Sequence, residues 1–315
     1  MGTNLFKEKR FHDEAAARAW FEETLWPNGP VCPHCKGTNA TAKKIEGRYR
    51  CKTKTCRKDF TVTVGTVMER SHCKLTQWAI AFTMGAASKK GFSAHQLHRQ
   101  LGCEYNTAWF LHHRVMEAMR QGGLDLPKLG GEGKIVEADE TYYGPVKVRS
   151  TTRSDGLPLK TGSRRGGPSN KRPIVTLVER GGKVRSFHVP RADKATVAKI
   201  VLNNIAHESR LHTDESRLYF GADEFFASHE TVNHSVKEYA RGDVHVNSAE
   251  GFFGVFKRGM RGVYQHCSEK HLHRYLAEFD FRYNHRAALG YTDEMRTLEA
   301  VKGAAGKRLT YHPVD

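Results

Sequence analysis

The chain has 315 residues, more than one small core uses, so two or three domains are expected. With 38% hydrophobic and 27% charged residues it reads as a soluble, folded protein. It has no apolar run of bilayer length and no apolar leader, which excludes a membrane role and sets a cytoplasmic location as the expectation. Its formal charge of +17 calls for an anionic partner. Without a basic amphipathic helix or lipidation motif, that partner is nucleic acid, unless the charge serves only solubility.

Residues 1–29 form an N-terminal segment of helical pattern. Next comes "CPHCKGTNATAKKIEGRYRCKTKTCRKDF", in which Cys32 and Cys35 form a Cys-x2-Cys pair and Cys51 and Cys56 a Cys-x4-Cys pair. Two close pairs on hairpin turns supply four soft ligands to a tetrahedral zinc ion. The stretches "TAKKIEGRYRC" and "RKDFTVTVGTVM" read as short alternating strands, so residues 30–68 are predicted to be a zinc ribbon that needs its metal to fold.

Residues 69–122 are predicted to be helical. "TQWAIAFTMGAAS" has helical apolar spacing with Thr76 as its cap. Ser93 caps a short helix that ends near Leu101, Gly102 makes a turn, and a second helix runs from about Asn106 to Arg120. This is the outline of a helix-turn-helix, or of an ordinary helical hairpin. In the first case His112, His113 and Arg114 face outward, toward a DNA groove. Five glycines and a proline mark "QGGLDLPKLGGEGK" as a linker, assigned to residues 123–134.

Residues 135–287 are predicted to be an α/β (α+β) domain with a mixed sheet and flanking helices. In "IVEADETYYG" a strand carries Glu137, Asp139 and Thr141 on one face, and an inward-facing acid needs a partner. "RPIVTLVER" and "KVRSFHVP" form a hairpin about Gly181 and Gly182, "ADKATVAKIVLNNIA" is a helix, and "RLHTDESRLY" opens with a strand that ends at Asp214. "TVNHSVKEYA" reads as a further strand or edge segment. On a helical wheel at about 100° per residue, "NSAEGFFGVFKRG" sets Asn247, Glu250, Gly254 and Lys257 opposite its phenylalanines. A helix anchored in this way delivers Glu250 to a defined place. Two aspartates and a glutamate from two strands and a helix suit Mg2+ or Mn2+, two ions of which serve phosphodiester chemistry. A loop with eight basic residues, Lys147 to Arg172, includes Arg164, Arg165, Lys171 and Arg172. It reads as a solvated linker or as an arm that tracks phosphates. Residues 288–315 are read as a tail.

The pieces "CPHCKG", "YRCKTKTCRKDFTVTVGTVME", "VEADETYYG", "LHTDESRLY" and "VNSAEGFFGVFKRGMRGVYQHCSEKHLHRYLAEFDFRYNHR" resemble the bacterial insertion-sequence transposases of the DDE class, in the ISXO-type group. The resemblance covers most of residues 17 to 290. It implies a ribonuclease-H-like catalytic domain preceded by a zinc ribbon and a helix-turn-helix. It makes Asp139, Asp214 and Glu250 the metal-binding triad, with Lys257 as the accompanying base. Some relatives carry Asn in the third position, which Asn247 would supply here. Lys257 and Arg258 would meet DNA, and pairing two element ends implies a homo-oligomer on DNA in the nucleoid. The family's second knuckle is usually Cys-x2-Cys, not the Cys-x4-Cys found here. A DNA-binding regulator without catalysis, or a nuclease of the same fold, remains the alternative.

Overall fold

The computed structural model describes residues 7–121, 126–145 and 171–309. They form two compact units, one of residues 1–122 with 277–315 and the other of residues 123–276.

The first unit joins a small sheet to a helical core. Helix α1 (Glu14–Leu25) starts at Asp13, whose carboxylate accepts from Ala15 N and Ala16 N. Three short antiparallel strands follow, β1 (Ala40–Ala42), β2 (Tyr49–Cys51) and β3 (Asp59–Phe60). Trp26, Tyr49 and Phe60 stack between α1 and this sheet, and Tyr49 Oη donates to Glu22 at 2.9 Å. The strand expected over "RKDFTVTVGTVM" stops at Phe60. Beyond it the chain turns, because Val62, Val67 and Met68 are drawn into the helical core instead of continuing a two-sided strand.

That core is built on α2 (Leu75–Ala87), whose Trp78 and Phe82 are fully buried. Lys74, not Thr76, precedes its first turn. Helices α3 (Ala94–Leu101) and α4 (Tyr105–Met119) follow as expected. Ser93 Oγ accepts from Gln96 N at 3.1 Å, and Gly102 takes a left-handed φ of 60° between the helices. The C-terminal segment read as a tail contains α8 (Asp293–Lys302), which packs on α2 and places Ala300 and Val301 in the core.

The second unit holds a five-stranded mixed sheet. Its strands are β4 (Ile135–Pro145), β5 (Lys171–Glu179), β6 (Val184–His188), β7 (Arg210–Asp214) and β8 (Ser228–Val232), in the order β6-β5-β4-β7-β8. The first three are antiparallel, while β7 and β8 join in parallel. This is the ribonuclease-H-like α/β fold that the resemblance implies. Alternation along β4 sorts its side chains to two faces. Val136 and Ala138 pack with Val197 and Val201 of α5 (Lys194–Asn204) on one face. The other face meets α6 (Asn247–Gly259), where Tyr143 packs edge-on against Phe256 at 5.5 Å. The segment assigned as a linker is partly built into this unit, since Leu129 is buried and exchanges backbone hydrogen bonds with Asn204 and Ala206. Helix α7 (Leu272–Asn284) spans the division between the units.

The wheel drawn for α6 matches its burial, with Ala249, Phe252, Phe253 and Phe256 inside and Asn247 and Glu250 outside. The helix is tied to β4 by one carboxylate. Glu137, with no exposed surface, accepts from Ser248 N at 2.7 Å, Ala249 N at 3.1 Å and Ser248 Oγ at 3.0 Å. A negative group at a helix N-terminus meets both its unpaired N–H groups and its dipole. Arg180 pairs with the same carboxylate through Nε at 3.0 Å and Nη2 at 2.8 Å, and His245 Nδ1 lies 3.3 Å away. Replacing Glu137 with Ala uncaps α6 and removes the carboxylate partner of Arg180, which keeps Asp243 O and His245. The expected cost is about 3–5 kcal/mol, measured as lost stability of the second unit in denaturant.

Candidate metal centres and active site

Cys32, Cys35, Cys51 and Cys56 bring their sulfurs within 4.8 Å of one another. Cys32 and Cys56 are 3.7 Å apart, and Cys35 and Cys51 3.6 Å. Sulfurs about 2.3 Å from one tetrahedral ion stand roughly 3.8 Å apart, so the four fit a structural zinc. The backbone accounts for the wide second pair. Lys36 and Arg57, each following the second cysteine of its pair, have left-handed φ values of 61° and 50°. Lys36 N donates to Cys32 O, and Arg57 N to Thr53 O. Thr53 therefore occupies the turn position that Cys32 holds in the first knuckle. Cys51 lies two residues earlier, a spacing that on extended chain keeps its side chain on the same side. The Thr53 hydroxyl, hydrogen-bonded to Cys51, lowers that thiol, while desolvation and the neighbouring sulfurs raise Cys56, as expected of thiols crowded together without a cation.

The acids gather at the α6 face of the second sheet. Strands β4 and β7 pair in register through Glu137 and His212. Two residues further on each strand stand Asp139 and Asp214, which side-chain alternation returns to that face. Glu140 N donates to Asp139 Oδ1 at 2.7 Å, and Ser216 N to Asp214 Oδ1 at 3.0 Å. Glu250 comes from the first turn of α6, half exposed. Burial and the facing Asp214 carboxylate push Asp139 up to about 7, with a further push from Glu250. Burial also raises Asp214. Like charges on two half-buried aspartates beside an exposed glutamate are the kind of donor set a hard divalent cation uses. Among the described residues only the cysteines bring three or more ligand atoms within 4.8 Å, so the acids stand wider apart than the sulfurs.

Several participants lack a clear sequence signal. On the opposite face of β4, burial drives Glu140 up to about 8, and the buried Tyr219 hydroxyl donates to it. His234 lies in the segment read as a strand. The strand ends at Val232, and His234 opens a short 3-10 turn whose Nε2 is 3.9 Å from Glu250 Oε1. Arg180 closes the network under α6. Glu140 rides on β4, but Tyr219, His234 and Arg180 lie in turns or just past a strand end, where no periodic pattern marks them.

The residues expected to meet nucleic acid fare differently. His112 and His113 do not face outward. They are buried on α4, which is packed by α2, α3 and α8, with His112 against Phe92 at 4.6 Å and His113 against Trp109 at 4.1 Å. Arg114 is half-buried and donates to Glu69 O at 3.2 Å. The outer surface of this helix pair instead carries His95, Arg99, Tyr105, Asn106 and Phe110. Arg164 and Arg165 lie outside the described residues. Lys171 is exposed at the start of β5, but Arg172 is buried and donates to Cys267 O at 2.8 Å. Arg282 is buried against Glu278, on the face that α7 turns into the helical core. Lys257 is half-buried, its Nζ 5.8 Å from the Phe253 ring, and Arg258 is exposed with Nε bonded to Gly254 O.

Metal analysis of the purified chain is expected to find about one zinc per molecule, lost in Cys56→Ser together with the ribbon's ordered backbone resonances. The acids predict a pH dependence. Because folding raises Asp139 from 3.8 to about 7, the folded chain keeps a proton that the unfolded chain gives up. This contribution to stability is complete below the lower value and is lost as pH rises through the upper one. In zinc-containing buffer free of magnesium and manganese, Asp139→Asn should therefore raise the Tm of the second unit more at pH about 8 than at about 5, by roughly 5 °C.

Comparison with known proteins agrees with this architecture. Residues 128–284 match the ISXO2-like transposase domain, and residues 12–59 match the transposase zinc-ribbon domain. The chain is 33% identical over 288 residues to an uncharacterized protein in transposable element ISH50 of Halobacterium salinarum, covering 87% of this chain and 92% of that one. An uncharacterized transposase-like protein of Haemophilus influenzae is 28% identical over 122 residues, 39% of this chain and 96% of its own length. A zinc-ribbon cluster, a mixed sheet and similarity over most of the length lead to one assignment: the chain belongs to the ISXO2-like family of insertion-sequence transposases.

Proposed function

We propose that this chain is a DDE-type DNA transposase that cuts the ends of its element and joins them to target DNA. The observation that carries this reading is a pair of desolvated aspartates on adjacent parallel strands, Asp139 and Asp214, facing Glu250 on a helix locked to the same sheet. These three side chains would hold two Mg2+ or Mn2+ ions, with Asn247, exposed at the start of α6, as the alternative third donor. Such ions, when bound, activate an attacking oxygen and stabilise the leaving one.

The remaining roles belong to the chain's own groups. Asp139 and Asp214 sit on strands and present fixed oxygens, whereas the half-exposed Glu250 has room to close on a ligand. Lys257 lies two turns along α6 from Glu250, close enough to interact with Asp139, and offers its ammonium to a phosphate beside the acids. Arg258 and Lys171 extend the positive surface. No covalent intermediate on the protein is required, because positioning and electrostatics suffice for phosphoryl transfer. The ribbon, the outer surface of α3 and α4, and the basic segment with Arg164 and Arg165 would bind duplex DNA. Bringing two ends together would require more than one copy of the chain. Among the described residues no helix is long and apolar enough to cross a membrane, and the nucleoid is the place where this activity would operate.

Cleavage and joining of end-bearing DNA with Mg2+ test the reading. Asp214→Asn is expected to cut about 10²- to 10³-fold more slowly, the size of losing one electrostatic stabiliser, while end binding in a gel-shift assay stays unchanged. Wild type that binds ends without cutting would make the chain a regulator. Cutting without joining would make it a nuclease.

A further inference from the structure

His234, in the "TVNHSVKEYA" segment, has no role assigned so far, yet its ring lies beside Glu250. It opens the turn His234–Val236 just after β8. Glu215, next in sequence to Asp214, holds that turn in place. Its carboxylate accepts from His234 N at 2.8 Å, Ser235 N at 3.0 Å and Ser235 Oγ at 2.6 Å. The root of the imidazole is thereby tied to the end of β7, beside Asp214. At the ring, Nε2 lies 3.9 Å from Glu250 Oε1. The ring is also within electrostatic reach of Asp139 and Asp214. His234 Nε2 is thus close to Glu250, with Asp139 and Asp214 further off, since no three of these groups bring ligand atoms within 4.8 Å of one another.

The spacing suits shared coordination. Two donors on one octahedral ion at about 2.1 Å stand roughly 3–4 Å apart. Both His234 and Glu250 retain solvent-exposed surface, 28% and 50%, so neither is locked away from an entering ion. We propose that His234 is a nitrogen ligand to a divalent cation held by Asp139, Asp214 and Glu250, and that it gives the site a preference for manganese over magnesium. This rests on the reading of the three acids as metal ligands. The chemical ground is that imidazole binds first-row transition ions well, whereas magnesium prefers oxygen and retains its waters. The simpler role for His234, an ion pair that steadies Glu250, predicts no such preference.

Mn2+ titration of the zinc-loaded full-length chain, followed by electron paramagnetic resonance, separates these possibilities, with electron spin echo modulation used to detect directly bound nitrogen. The wild type is expected to show nitrogen coupling to Mn2+, absent in His234→Ala and His234→Asn and retained in His266→Ala. The two His234 variants should bind Mn2+ about tenfold more weakly, while Mg2+ affinity, measured by competition, changes less than about twofold. Unchanged melting of either variant excludes misfolding as the cause. If Mn2+ binding requires Asp139 but shows no nitrogen coupling, or His234→Ala keeps full Mn2+ affinity, His234 is not a ligand and the acids still are. If Asp139→Asn binds Mn2+ as well as wild type, the acids do not hold the ion, and both readings fall.

Discussion

The candidate catalytic site depends on the seating of α6 against β4 by Glu137. This carboxylate is fully buried, and burial of a charge is tolerated only when the charge is paired and hydrogen-bonded. Three donors from Ser248 and Ala249, the Arg180 guanidinium and the His245 ring meet that requirement. Glu137 lies two residues before Asp139 on the same strand face, and the amides it accepts from lie one and two residues before Glu250. One contact therefore sets the distance between two of the three acids. The phenylalanines of α6 give the helix its adhesion to the unit, but apolar burial has no direction, and the carboxylate cap supplies one.

The same strand face shows how differently equal residue types are treated. Glu137 has a cation and a helix terminus as partners. Asp139, two residues on, has backbone support from Glu140 N but faces Asp214 and Glu250. A fold stabilised for its own sake would not leave like charges opposed at half-buried positions. The cost is borne locally, as the raised Asp139 and Asp214 record, and it is relieved by a cation or a proton. The acids come from two strands and from the half-exposed first turn of α6. The zinc centre is arranged in the opposite way, its sulfurs already at tetrahedral spacing, as suits a site whose role is to hold chain segments together.

In the first unit, packing overrules local pattern. The helix, left-handed Gly102 and second helix are present, but the histidines on the second helix are core residues. A helix bordered by three others has little surface left, and aromatic and histidine side chains fill the interior. The surface that remains lies at the start of α4 and along α3, where His95 stacks on Tyr105 at 4.4 Å.

Much was readable from residue order alone, and for physical reasons. Soft ligands in close pairs announced the ribbon, alternation announced the strands, and the wheel of α6 placed Glu250 opposite the phenylalanines, because these patterns are local and periodic. Resemblance added the roles of Asp139 and Asp214. Only the tertiary structure decided that Glu137 is the cap of α6, that Arg180 is its counterion, that His234 faces the acids, and that His112, His113 and Arg172 are buried. It also decided that Thr53 takes a knuckle position and that the supposed tail contributes a helix to the core. Apart from the local turn at Thr53, these are contacts between residues far apart in the chain, made by loops or by faces with several available partners. Periodicity tells which side of an element is buried, but not what covers it, and for a charged or polar side chain the covering partner determines its role.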